Sequence, residues 1–115
     1  MARTAYGPML PHADTRWIEP PWKAVLSTKA LLPALWEKHA GHPNLLAAFH
    51  DDDPRSESLG GDYVRKPLFG REGANVEVVS RGRILARTGG LHGDEPLVRQ
   101  ARADLFRSEA GHAVI

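Results

Sequence analysis

Residues 63–79, "YVRKPLFGREGANVEVV", hold the reading that decides the fold. Tyr63 and Val64 suit a pleated, half-buried surface. Arg65 and Lys66 then place two cations side by side before Pro67 closes the run. Gly70 and Gly73 bracket Arg71, and after Asn75 the β-rich run Val76, Val78, Val79 begins. This pattern predicts two strands joined by a flexible, positively charged loop. Glycines let backbone N–H groups approach a phosphate closely, and Lys66 and Arg71 supply neutralising charge. The loop is not a P-loop, because Ala74 stands where a Lys–Ser or Lys–Thr pair would follow the second glycine. On spacing alone, a phosphate loop and an ordinary basic hairpin loop both remain open.

Outward from this stretch, charge is segregated. The acidic residues of 51–62, "DDDPRSESLGGD", outweigh Arg55, whereas Arg65, Lys66, Arg71, Arg81, Arg83 and Arg87 outweigh Glu72 and Glu77 across 63–87. The first segment reads as a loop. In the second, "NVEVVSRGRILAR" predicts a hairpin turning at Arg81–Gly82. A glycine-rich connection, "TGGLHGDEP" at 88–96, leads to "LVRQARADLF", which fits strand or helix. The expected sheet is antiparallel, with strands near 62–67, 76–80, 83–87, 97–101 and 111–115.

On the N-terminal side, 1–17 reads as an irregular lead-in. "EPPWKAVLSTKALLPALWEKHAG" carries an apolar stripe of Trp22, Val25, Leu26, Leu32, Leu35 and Trp36, which predicts helix and core packing. Pro33 argues for two short helices meeting around Ser27–Thr28, and "HPNLL" for a turn followed by one helical turn. The expected fold class is therefore α+β, with short helices packed on an antiparallel sheet.

Composition sets bounds on function. The 115 residues suit a single small domain, and the net charge of +1 points to no particular macromolecular partner. Cysteine is absent, which removes disulfides, thiolate metal sites and cysteine nucleophiles. There is neither a signal-like apolar stretch near the N-terminus nor a run long enough to span a bilayer, so the expected location is cytoplasmic, away from membranes. His39, His42 and His50 lie near Asp51–Asp53, but Gly41 and Pro43 interrupt any helix that would align them, so a solvated turn is expected rather than a metal site. Arg81, Arg83 and Arg87 lack interleaved aromatic residues, which argues against nucleic acid. No nucleophile elbow surrounds Ser27 or Ser80. Eleven arginines stand against four lysines, so a retained lysine suggests that a compact ammonium is wanted.

Taken together, "EPPWKAVLSTKALLPALWEKHAGHPNLLAAF" and "YVRKPLFGREGANVEVV" resemble the glutathionylspermidine synthase family of ATP-grasp ligases. The resemblance begins near Ile18, and the domain it implies, a partial ATP-grasp fold, runs over 18–115. It implies joining of a carboxylate to an amine through an acyl phosphate, with ATP and magnesium. It further implies that Lys29 and Lys66 contact the nucleotide, that Gly70, Arg71, Glu72, Gly73 and Asn75 form a lid over the phosphates, and that Gln100 lies near the adenine. Thr28 stands where the family has asparagine, and Arg99 where it has an aromatic residue. The family's magnesium set lies upstream of the Pro-Pro-Trp-Lys stretch, where this sequence offers Asp14 and Glu19 but no asparagine, so the metal ligands are expected outside the chain. The expectation is the ATP-binding slice of a ligase, inactive alone. One half of a split ligase and a non-catalytic phosphate-binding module are the alternatives.

Overall fold

The structure, a computed structural model, describes residues 7–12, 14, 16, 18–19, 21–90, 94–104, 107–108 and 111–112. A five-stranded antiparallel sheet dominates it. The strands are β1 (Ala48–His50), β2 (Tyr63–Pro67), β3 (Glu77–Ser80), β4 (Arg83–Arg87) and β5 (Leu97–Ala101), in the spatial order β1-β5-β2-β3-β4. The α+β class and the strands predicted around 62–67, 76–80, 83–87 and 97–101 are all present. A separate two-stranded ribbon pairs β6 (Arg107–Ser108) with β7 (Gly111–His112). The strand expected over 111–115 thus begins in this ribbon rather than in the main sheet, and residues 113–115 lie outside the described residues.

The long β2–β5 ladder is the spine, pairing Val64 with Gln100, Arg65 with Arg99, Lys66 with Val98 and Pro67 with Leu97. Val98 is fully buried here, and Ala48, Pro67 and Val79 are nearly so. Burial of a valine side chain stabilises by roughly 1.5–3 kcal/mol, so this ladder concentrates much of what the small core supplies. The β3–β4 hairpin turns at Arg81 (φ 50°) and Gly82 (φ 71°), the two positive-φ positions of a type I′ turn. A register shift between Val78 and Val79 interrupts its ladder.

The helical region divides as the prolines require. A 3₁₀ helix at Pro21–Ser27 is followed by a turn and by α1 (Leu31–Lys38). Pro33 sits in the first turn of α1, where no intrahelical N–H bond is lost. A further 3₁₀ helix covers Pro54–Leu59 within the segment expected as loop, capped by Asp53, whose Oδ1 accepts from Arg55 N at 2.9 Å. Another at Gly7–His12 falls within the expected lead-in.

Two expectations fail. "HPNLL" forms a turn and then irregular chain that feeds β1, not a helical turn. Ala48–His50 finds ladder partners in Val98–Gln100, a non-local gain that a three-residue strand does not announce in its own sequence. The apolar stripe is the second failure, because Trp22 is 63% exposed and Val25 and Leu26 are also exposed. A 3₁₀ turn holds these side chains, yet no described element covers them.

Candidate functional site

The pair Arg65–Lys66 shows how the sheet builds the site. Successive strand residues point to opposite faces, so the two neighbouring cations separate. Arg65 joins an ion ladder on one face, with Nη2 at 2.9 Å from Glu77 and Nη1 at 3.7 Å from Asp51. Glu77 also pairs with Arg87, and Asp51 with Arg99 Nε at 2.6 Å. Arg99 completes this arrangement by reaching Glu57 at 3.2 Å and lying over the Tyr63 ring at 5.1 Å. The acidic segment 51–62 is thereby folded against the basic strands. Arg99 has an ion-pairing role here.

Lys66 emerges on the other face. Its Nζ donates to Gln100 Oε1 at 2.6 Å across the β2–β5 ladder. Lys29 reaches the same region from the turn before α1. Its backbone N–H donates to Leu68 O at 2.9 Å, and its Nζ donates to Gly70 O at 2.6 Å. Thr28 assists, since its Oγ1 accepts from Ala30 N at 3.2 Å and donates to Leu68 O at 3.4 Å. Arg71 closes the group by donating from Nη1 to Ser27 O at 3.1 Å.

Burial and neighbouring charge act on both lysines. Burial, and after it the charge of Lys29, hold the Lys66 ammonium below its ordinary pKa. Lys29 is also lowered, by burial first and then by Arg71, while Glu95 pulls in the opposite direction. Half-buried ammonium groups beside a further cation favour an anion among them.

The structure therefore brings together Lys29, Lys66, Gly70, Arg71 and Gln100. Glu72 (φ 52°), Gly73 (φ 71°) and Asn75 (φ 54°) form the outer turn of the loop, with Glu72 and Gly73 exposed. That turn is fastened to the end of β4. The Thr88 hydroxyl donates to Gly73 O and accepts from Val76 N at 2.9 Å, and Thr88 N donates to Val76 O at 3.0 Å. Thr88 thus fastens the loop, and Glu95 holds its root by accepting from Phe69 N–H at 3.1 Å, two roles the sequence does not announce. Both residues sit in or beside a glycine-rich connection, where nothing local marks them. A shallow groove elsewhere, between α1 and β1, is lined by Pro33, Trp36, Phe49 and Arg55 among others and includes none of these site residues.

Phosphate fits this donor set, which combines three cations with a glycine-bearing loop. A metal does not, since among the described residues no three His, Cys, Asp or Glu side chains could hold one ion. Among the described residues, no helix is long and apolar enough to cross a membrane.

A small α+β domain with paired lysines at the root of a loop is what the fold and site define. Residues 1–115 match the family described as glutathionylspermidine synthase preATP-grasp, and the chain belongs to that family. A putative acid–amine ligase from Haemophilus influenzae is 52% identical over 66 residues, 56% of this chain and 16% of the relative. Trypanothione synthetase from Crithidia fasciculata is 33% identical over 103 residues, 89% of this chain and 16% of the relative. The bifunctional glutathionylspermidine synthetase/amidase of Escherichia coli is 32% identical over 83 residues, covering 71% and 13%. The chain thus spans about one-sixth or less of the length of these relatives.

Proposed function

We propose that this chain forms the ATP-binding portion of a glutathionylspermidine synthase-like carboxylate–amine ligase. The observation that carries the reading is the convergence of Lys29 and Lys66, 37 positions apart in sequence, at the root of the Gly70–Asn75 loop. In this reading Lys29, Lys66 and Arg71 bind the phosphates, and the Gly70–Asn75 loop lies over them as a lid. Its glycines let backbone N–H groups approach the phosphate oxygens. Gln100 holds the Lys66 ammonium in place. ATP, when bound, supplies the phosphoryl group that activates a carboxylate toward an amine. The chain's own cations position that group and stabilise its charge, which is most of what a protein contributes to phosphoryl transfer. Magnesium ligands, in this reading, lie outside the described residues, which gather no three-ligand metal set.

Ligation itself draws on residues outside this stretch, since the relatives named for the reaction are several times longer. The reading is tested by calorimetric titration with ATP. Lys29→Met and Lys66→Met are each expected to weaken binding by roughly tenfold or more, the worth of a charge-assisted hydrogen bond. Wild-type affinity in both variants would overturn the assignment.

A further inference from the structure

Leu68 and Phe69, the dipeptide between Pro67 and the loop, are held from three directions. Leu68 N–H donates to Pro96 O at 3.0 Å, extending the β2–β5 ladder by one residue. Leu68 O accepts from the backbone N–H of Lys29 at 2.9 Å. One residue further on, Phe69 N–H donates to the carboxylate Oε2 of Glu95 at 3.1 Å. Glu95 thus gives the loop root a full negative charge as its acceptor. The same carboxylate lies within electrostatic reach of the Lys29 ammonium, where it favours the charged form against burial and Arg71. A backbone N–H at the root of a glycine-bearing loop and a lysine ammonium are the two kinds of donor a phosphate oxygen takes.

We propose that Glu95 is a built-in anion surrogate, whose carboxylate holds the root of loop 68–76 through Phe69 and offsets the Lys29 end of the cationic cluster until a phosphate displaces it. This rests on the reading of the cluster as a phosphate site. The remaining bonds of the cluster suit such an exchange. Lys29 Nζ and Arg71 Nη1 are engaged with main-chain carbonyls, Gly70 O and Ser27 O, which carry no net charge and so compete with an incoming anion less than a carboxylate does. Glu95 does repel it, and both that repulsion and the attraction of the three cations grow with the charge of the anion, so a polyphosphate feels the carboxylate most strongly and gains most from its displacement.

The test uses the 115-residue chain, inorganic tripolyphosphate and ATP, with affinity measured by calorimetry. Glu95→Gln keeps an acceptor for Phe69 N–H and removes the charge. It is expected to bind tripolyphosphate roughly three- to fivefold more tightly, the scale of one partly solvated charge pair. The same substitution in a Lys29→Met background is expected to give no gain. Amide exchange at Phe69 is expected to stay slow in Glu95→Gln and to accelerate in Glu95→Ala, which separates the charge from the hydrogen bond. Unchanged or weaker tripolyphosphate binding by Glu95→Gln, including no binding by either chain, overturns the proposal. If the gain is present but ATP binds wild type no more tightly than tripolyphosphate, the surrogate stands and the nucleotide reading falls instead.

Discussion

Val98 and Lys66 face one another across the β2–β5 ladder, and between them they show what single residues contribute. Val98 is fully buried in a chain with few other buried apolar side chains among its described residues. Val98→Ala removes two methyl groups from a site with little freedom to collapse, and is expected to cost about 2 kcal/mol, read from the urea midpoint. Lys66 has the opposite effect on stability. Its pKa lies below the ordinary 10.5, so folding disfavours its charged form, and this penalty is fully present below the folded pKa. As pH rises through the window between that depressed value and 10.5, the unfolded chain binds more protons than the folded one, and stability increases. The stability gap between wild type and Lys66→Met is therefore expected to narrow from pH 7.5 toward pH 10, with the variant the more stable at the lower pH. A gap that widens with pH would contradict the burial of the ammonium.

At the scale of elements, the β3–β4 hairpin and the loop before it are coupled. Gly82 occupies a positive-φ position that a β-branched residue resists, so Gly82→Val is expected to cost roughly 1–2 kcal/mol. Farther along, a Cβ added at Gly90 would stand 2.7 Å from the Cβ of Ala74. Gly90→Ala is therefore expected to push the loop away from its Thr88 fastening. Faster amide exchange at Val76 and Thr88, with β2 and β5 unaffected, is the measurement that checks it. Sequence patterns foretold this hairpin because its turn chemistry and its two β-rich runs are adjacent in the chain. They did not foretell β1, whose three residues acquire strand form only by pairing with β5, fifty positions later. The helical turn expected before β1 lost to that non-local pairing.

At the scale of the molecule, burial among the described residues is sparse and apolar surface abundant. Ile84 and Leu85 are 52% and 63% exposed on β4, which has a neighbour on one side only within the sheet. Trp22, Val25 and Leu26 are exposed on the 3₁₀ helix. An edge strand with apolar side chains and free ladder groups invites pairing with another chain. Concentration-dependent association is therefore expected in sedimentation experiments, and Leu85→Lys, which puts a charge on that edge, is expected to reduce it severalfold. The same substitution leaves the Lys29–Lys66 cluster in place, so phosphate binding should be retained.

Local signals in the sequence determined the strands at β2 through β4, the turn at Arg81–Gly82 and the division of the helical region around Ser27–Thr28. Each of these depends on side-chain alternation, turn residues or proline chemistry acting over a few neighbouring positions. The family, too, was legible, because long motifs such as "YVRKPLFGREGANVEVV" carry it whatever the fold around them. Tertiary structure alone decided the rest. It sent Arg65 and Lys66 to opposite faces with different partners, and it left Trp22 exposed although the apolar stripe pointed to a core. It also placed Glu95 against Phe69 and within reach of Lys29. Such outcomes depend on which distant strand or loop arrives opposite a side chain, and a chain settles that only when its ladders close.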